Sequence, residues 1–172
     1  MITMGNFKSL QTGHVGLNVT DLDRSMNFYG KVFDFEVLGE GKETDRRFAF
    51  LGRDGKLQVT LWQQSAVAFP TASAGLHHLS FQVETVDEVK DAEAVLRDLG
   101  AEFAYDGVVP HGEGASSGGI FFTDPDGIRL EIYSPSGAEG QEAPHHRCPD
   151  LRLLLNRPAA PTPPIRPEGQ RP

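Results

Sequence analysis

Two stretches of the chain alternate apolar and polar residues, and they match each other position by position. The first, HVGLNVTDLD, begins at His14, and the second, HLSFQVETVD, begins at His78. A period of two residues is typical of a strand that buries one of its faces. The match predicts an internal repeat in which each copy opens with such a strand.

A helical pattern follows each of these strands. In the first copy Asp21 or Asp23 can cap the helix, and the stretch DLDRSMNFYGKVF places four large apolar side chains on one face. These are Leu22, Met26, Tyr29 and Phe33. In the second copy Gly100 ends a helix whose apolar face also has four members. These are Val86, Val89, Leu96 and Leu99.

Three further strands are predicted in each copy. They cover residues 35–40, 47–51 and 57–63 in the first copy and residues 102–108, 119–123 and 129–133 in the second. The connections GEGK, GRDG, HGEGASSGG and DPDG are turn sequences. The predicted organisation is therefore βαβββ–βαβββ, an α+β fold of two tandem modules. We expect module one over residues 12–64 and module two over residues 76–135.

The two ends of the chain differ from this pattern. Residues 1–11 form an N-terminal arm, and residues 136–172 form a proline-rich tail. Nine of the twelve prolines lie at or after Pro135, and only the short run LRLLLN, which starts at Leu151, is densely apolar. Because such a composition cannot bury enough apolar surface, we expect the tail to be largely disordered.

Composition narrows the range of partners. The formal net charge of −8 disfavours a nucleic acid or an anionic membrane surface as partner. No apolar run approaches the ~20 residues that span a bilayer, and the first residues lack a signal-peptide pattern. Cys148 is the only cysteine, so no disulfide can form within the chain. We expect a cytoplasmic protein without a nucleic-acid or membrane partner.

The polar faces of the predicted strands carry chemically distinctive side chains. Strand parity places His14, His78 and Glu131 opposite the apolar positions of their strands. Their neighbours on those faces are small or carry amides: Gly16, Asn18, Ser80 and Gln82. Two imidazoles and one carboxylate form a ligand set that leaves positions on a divalent metal open for substrate. The alternative is a polar face that simply meets water.

The chain resembles the vicinal oxygen chelate superfamily, which includes glyoxalase I, extradiol dioxygenases, fosfomycin-resistance enzymes and bleomycin-binding proteins. The resemblance rests on GHVGLNVTDLDRSMNFYGKVFDFEVL, LHHLSFQV and IFFTDPDGIRLEIYSP, and it covers residues 12–135. It implies a glyoxalase-like fold in which the two modules form a curved mixed-sheet cup. It also implies that His14, His78 and Glu131 are metal ligands. Thr60 occupies the position of the glutamate usual in glyoxalase I, so the ligand set is closer to that of the dioxygenases or fosfomycin enzymes.

The resemblance further implies a metal-dependent enzyme that acts on a small molecule. One divalent metal ion, with Fe(II) favoured over Mn, Ni, Zn or Mg, would be chelated by two adjacent oxygens of the substrate. A ring-cleaving dioxygenase is the leading expectation. The alternatives are a glyoxalase- or lyase-type enzyme, a fosfomycin-resistance-type enzyme, or a protein that sequesters an antibiotic or metabolite without turnover. Small relatives commonly form homodimers, in some of which His14 of one chain meets His78 and Glu131 of the other.

Other residues are candidates for substrate contact or proton transfer. His111, in the loop VVPHGEGASSGG, is a candidate general acid or base, although a solvated loop histidine is the simpler alternative. Tyr133 shares the face of Glu131 and is the second catalytic candidate. Substrate-binding candidates lie on the polar or mixed faces of the strands, where ordinary packing is the alternative. They are Phe48, Phe50, Gln58, Thr60, Trp62 and Phe121.

Overall fold

The order of helices and strands repeats once along the chain, as the sequence pattern predicts. The computed structural model describes residues 9–43 and 46–141. The first module contains β1 (Val15–Val19), α1 (Leu22–Phe33), β2 (Glu36–Glu43), β3 (Arg46–Arg53) and β4 (Lys56–Gln63). The second contains β5 (Leu79–Gln82), α2 (Val86–Asp98), β6 (Val109–Pro110), β7 (Gly118–Thr123) and β8 (Arg129–Ser134).

Each module folds its four strands into a mixed sheet, and the two sheets have the same strand order. The orders are β1-β4-β3-β2 and β5-β8-β7-β6. In both sheets the first strand pairs in parallel with the last, and all other pairs are antiparallel. The predicted α+β fold of two βαβββ modules is confirmed. Within the described residues, no strand of one sheet pairs with a strand of the other.

The two helices begin and end at residues suited to those positions. The side chain of Asp21, rather than that of Asp23, accepts a hydrogen bond from the backbone N–H of Arg24 at the start of α1. Thr85 and Glu88 form a reciprocal capping box at the start of α2. Beyond α2, Gly100 has a φ of 69°, the left-handed geometry that favours glycine after a helix.

The apolar faces of both sheets and both helices contribute to one hydrophobic core. Aromatic contacts join the two modules within this core, and two of them show how closely the rings approach. The ring centroids of Phe28 and Phe122 lie 6.4 Å apart, and those of Phe33 and Phe81 lie 4.3 Å apart. Because the strands alternate their side chains, apolar faces turned toward this core leave the polar faces turned away from it.

The predicted strand over residues 102–108 is wrong. This stretch holds only an isolated bridge between Phe103 and Phe122, and the edge strand β6 comes later and has two residues. The physical reason lies in two local features. Phe103 packs on the core beneath the guanidinium of Arg97, which lies 5.0 Å from the ring centroid, and Gly107 turns the chain at a φ of 73°.

The DPDG sequence makes the turn between β7 and β8 that the pattern predicts, and its first residue is a buried carboxyl group. Asp124 accepts hydrogen bonds from the backbone N–H groups of Asp126 and Ile128 and from the hydroxyl of Tyr29. Burial raises the pKa of Asp124 to about 6, although the three hydrogen bonds act in the opposite direction. The turn is therefore attached to α1 by a group that ionises with difficulty.

We predict that Asp124→Asn removes a pH dependence from the stability of the fold. The folded-state pKa of Asp124 is raised above the ordinary value of 3.8, so the folded protein binds a proton that the unfolded chain releases. The contribution of Asp124 to stability therefore falls as the pH rises from 4 to 7. Asparagine cannot ionise and keeps an oxygen for the two backbone N–H groups. Measured by urea unfolding from pH 4 to 7, the free energy of unfolding of the variant should rise relative to that of the wild type by on the order of 2 kcal/mol. Free energies that change in parallel with pH in the two proteins would contradict the prediction.

Candidate metal centre

Strand β8 places Glu131 on the polar face of the second sheet, between two neighbouring strands. Its register partners are Ser80 on β5 and Phe121 on β7. Only 7% of the Glu131 side chain is exposed. A buried carboxylate needs strong partners, because burial removes its hydration. The partners of Glu131 therefore define the site.

Two imidazoles contact the two oxygens of this carboxylate. Nε2 of His78 lies 3.4 Å from Oε2 of Glu131, and Nε2 of His111 lies 2.7 Å from Oε1. His78 precedes β5, while His111 belongs to the loop between β6 and β7. The structure thus brings together two of the three residues predicted as metal ligands, together with the predicted acid–base candidate.

A further histidine contacts His78 on the other side of its ring. Nδ1 of His77 lies 2.8 Å from Nδ1 of His78, so one of these nitrogens donates and the other accepts. Burial, followed by the charges of His78 and Arg129, lowers the pKa of His77, which favours the neutral ring as acceptor. If His78 donates from Nδ1, its Nε2 keeps a lone pair on the side of Glu131. A hydrogen bond of this kind commonly fixes the tautomer of a metal-binding histidine.

His14 lies apart from this group within one chain. It is exposed, and it directly precedes β1, a strand of the other sheet. Among the described residues, the ion pairs of Glu131 within 4.0 Å are those with His78 and His111. In the same part of the chain, no three His, Cys, Asp or Glu side chains form a group able to hold a metal ion. The convergence of His14 with His78 and Glu131 stays a prediction.

The spacing of the His78–Glu131 pair fits two ligands of a common ion. Two ligands at about 2.1 Å from a divalent metal, at an angle of about 90–110°, hold their donor atoms about 3.0–3.4 Å apart. Nε2 of His78 and Oε2 of Glu131 are separated by 3.4 Å. The His78 side chain is 37% exposed, so the His78–Glu131 pair is accessible from outside the chain.

The polar face of the first sheet carries an aromatic cluster. The ring of Phe48 lies 5.0 Å from the ring of Trp62 and 5.1 Å from that of Phe50. The indole N–H of Trp62 donates to Oγ1 of the buried Thr60 at 3.2 Å. Four of the six predicted substrate-binding residues therefore form one surface: Phe48, Phe50, Thr60 and Trp62.

The remaining predicted residues lie on or near the second sheet. Gln58 lines a cavity of about 610 Å³ together with Ser80 and Gln82. The ring centroids of Phe121 and Tyr133 lie 6.2 Å and 5.4 Å from that of His111, so both rings lie beside the imidazole that contacts Glu131. The hydroxyl of Tyr133 donates to Oε1 of Gln82 at 2.8 Å.

A family model described as Glyoxalase/Bleomycin resistance protein/Dioxygenase superfamily matches residues 11–132. The chain belongs to this superfamily. The resemblance stated from the sequence is thereby confirmed, and the match covers both modules.

Among relatives in the superfamily, the catechol-2,3-dioxygenase of Bacillus subtilis is 34% identical over 125 residues. That alignment covers 71% of this chain but only 40% of the relative. A "Probable trivalent organoarsenical cleaving enzyme" of the same organism is 32% identical and is covered to 88%, with 78% of this chain aligned. Both are named as enzymes, in agreement with the expected enzyme of unspecified subclass.

A solved glyoxylase/bleomycin resistance protein/dioxygenase domain from Frankia sp. EAN1pec has the same fold. Its TM-score is 0.64 at 30% identity, and the alignment covers 73% of this chain and 98% of that one. The glyoxalase-like fold is confirmed. No helix within the described residues is long and apolar enough to cross a membrane.

Sequence reasoning missed one residue of the site, Ser117, and did not specify the hydrogen bond that His77 makes. The rings of His77 and His78 contact each other just before a strand. Strand alternation alone would point these two side chains to opposite sides and does not predict the contact. The bond between Nδ1 of His111 and Oγ of Ser117, at 3.0 Å, depends on how the loop folds back. Only the unusual HH pair and the serine of HGEGASSGG could have indicated them.

Proposed function

We propose that this chain is a metal-dependent enzyme that acts on a small substrate bearing two adjacent oxygens, and that its reaction is ring cleavage by a dioxygenase. The observation that carries the proposal is the His78–Glu131 pair, whose donor atoms lie 3.4 Å apart on a polar face. His14 would be the third ligand, in line with the superfamily pattern. The named dioxygenase relative supports this subclass.

The residues present fit a divalent ion with three protein ligands and open positions. Fe(II) is the ion we favour, since two histidines and one carboxylate are its usual ligand set in oxygenases. When bound, it would supply Lewis acidity toward the two substrate oxygens and redox chemistry with O₂. Mn, Ni, Zn or Mg in the same ligands would suit isomerisation, addition or hydrolysis instead.

The chain's own side chains would bind and orient the substrate ring. Phe48, Phe50 and Trp62 offer an apolar wall on the first sheet, and Phe121 offers a second wall beside Glu131. Thr60 accepts from the Trp62 indole, so its own hydroxyl hydrogen remains available to a substrate oxygen. Tyr133, which donates to Gln82, presents its oxygen as an acceptor on the same face as Glu131, where we propose that it contacts substrate.

A homodimer would complete this site. The pair His78–Glu131 is accessible on one face, while His14 and the aromatic cluster lie on the sheet of the other module. Both polar faces point away from the shared core, so the polar face of a second copy can cover each of them. We therefore propose that His14 of one chain meets His78 and Glu131 of its partner. The substrate of the protein and its expected cytoplasmic location stay predictions.

The second candidate is a lyase-type reaction at the same residues. The chain spans 40% of the dioxygenase relative but 88% of the organoarsenical cleaving enzyme, which favours small two-module enzymes as models of its activity. In glyoxalase- and fosfomycin-resistance-type reactions, too, two adjacent substrate oxygens would bind a metal ion that acts as a Lewis acid. Sequestration without turnover is the remaining alternative.

Oxygen uptake distinguishes these candidates. We expect the full chain, loaded anaerobically with Fe(II), to consume O₂ with a panel of catechols and to produce the absorbance of ring-cleaved products. Loading with Zn(II) should give no uptake, because zinc has no accessible redox chemistry. An absence of O₂ uptake across the panel would exclude the dioxygenase reaction. Equal binding of an aromatic ligand by metal-free wild type and Glu131→Ala would favour sequestration.

A further inference from the structure

We infer that His111 is a positioning residue that holds Glu131 as a one-oxygen metal ligand, with Ser117 fixing the tautomer of the imidazole. This inference rests on the proposed metal site. It concerns the hydrogen bonds that orient the proposed ligand Glu131, which link three side chains: Ser117, His111 and Glu131.

The direction of each hydrogen bond follows from the chemistry of the groups. An ionised carboxylate only accepts, so Nε2–H of His111 donates to Oε1 of Glu131 across 2.7 Å. In the neutral imidazole, Nδ1 then carries the lone pair. The hydroxyl of Ser117 therefore donates to Nδ1 across 3.0 Å.

The geometry of the loop holds these three hydrogen-bonded side chains in place. The backbone N–H of His111 donates to the carbonyl of Ser117 at 3.0 Å, so these two residues are joined by both backbone and side-chain bonds. The imidazole ring also lies beside the rings of Phe121 and Tyr133. A ring fixed on several sides can orient a carboxylate before any ion binds, which lowers the entropic cost of binding.

Two consequences follow for the site. Both ring nitrogens of His111 are engaged, so a positioning role replaces the acid–base role expected from sequence. Oε1 of Glu131 is engaged as well, which leaves Oε2, on the side of His78, as the oxygen free for an ion. A carboxylate that ligates through one oxygen leaves an additional position open for a substrate that chelates through two.

The affinity of the protein for Mn(II) tests this positioning role without need of a substrate. Titration calorimetry on the full chain should show binding weakened about 10–100-fold in His111→Phe, the usual cost of losing an outer hydrogen-bond partner of a ligand. His111→Gln, which keeps an N–H donor, should recover part of that loss, and Ser117→Ala should weaken binding in the same direction. Ser116→Ala is the matched control, since Ser116 contacts the carbonyl of Pro135 instead, and it should bind as the wild type does.

Pulsed electron paramagnetic resonance on bound Mn(II) separates positioning from ligation. The couplings of directly bound nitrogens should be the same in wild type and His111→Gln. Loss of one nitrogen coupling would make His111 a ligand and overturn the inference, as would wild-type affinity in both His111 variants. A wild type that binds no Mn(II), Fe(II) or Zn(II) would overturn the proposed metal site itself, and the inference with it.

Discussion

Replacing Glu131 with alanine should abolish tight binding of divalent metal, a loss well beyond the ~100-fold that removal of an outer partner costs. Glu131 supplies the one negative charge that we assign to the ligand set, and its carboxylate is the group that both His78 and His111 contact. Without it, the remaining histidines are two neutral donors. Elemental analysis of purified protein and Mn(II) calorimetry measure this directly.

Two further variants separate loss of the ligand from damage to the fold. Glu131→Gln keeps the size of the side chain and an acceptor for His111 but removes the charge, so it should also lose the metal. Because a buried carboxylate is costly, the metal-free Gln variant should melt no lower than the metal-free wild type. Glu36→Ala, at an exposed position on β2, is the control and should bind metal normally. Metal binding by Glu131→Ala at wild-type affinity would contradict the ligand assignment.

The repeated fold could be predicted because its determinants are local. Period-two alternation, an amphipathic helix and a DPDG turn each act within a few residues. The absence of a strand over 102–108 could not be predicted, because Phe103 packs against the core beside α2 and only a single bridge to Phe122 joins this stretch to β7. Strand length at an edge depends on such packing, which the residue pattern does not encode.

The candidate site was predictable only in part. Strand parity was enough to place His78 and Glu131 on one face, since His78 directly precedes β5 and Glu131 lies on β8, which pairs in parallel with β5. The engagement of His111 depends on a glycine-rich loop folding back through Ser117, and the HH pairing depends on side-chain rotation. In the proposed homodimer His14 joins them through contacts between two chains, which the residue pattern within one chain does not encode.

A mixed dimer of two inactive variants should recover metal binding. If each site combines His14 of one chain with His78 and Glu131 of its partner, then His14→Ala and Glu131→Ala homodimers each lack both sites. A heterodimer of the two has both defects in one site and none in the other, because two-fold symmetry pairs the residues crosswise.

The heterodimer, isolated through two different affinity tags after co-expression, therefore tests the central claim most directly. Measured by elemental analysis and Mn(II) titration, it should hold about one tightly bound ion per dimer, against about two in the wild type and none in either homodimer. A heterodimer without bound metal, beside a wild type that binds it, would contradict a site shared between chains.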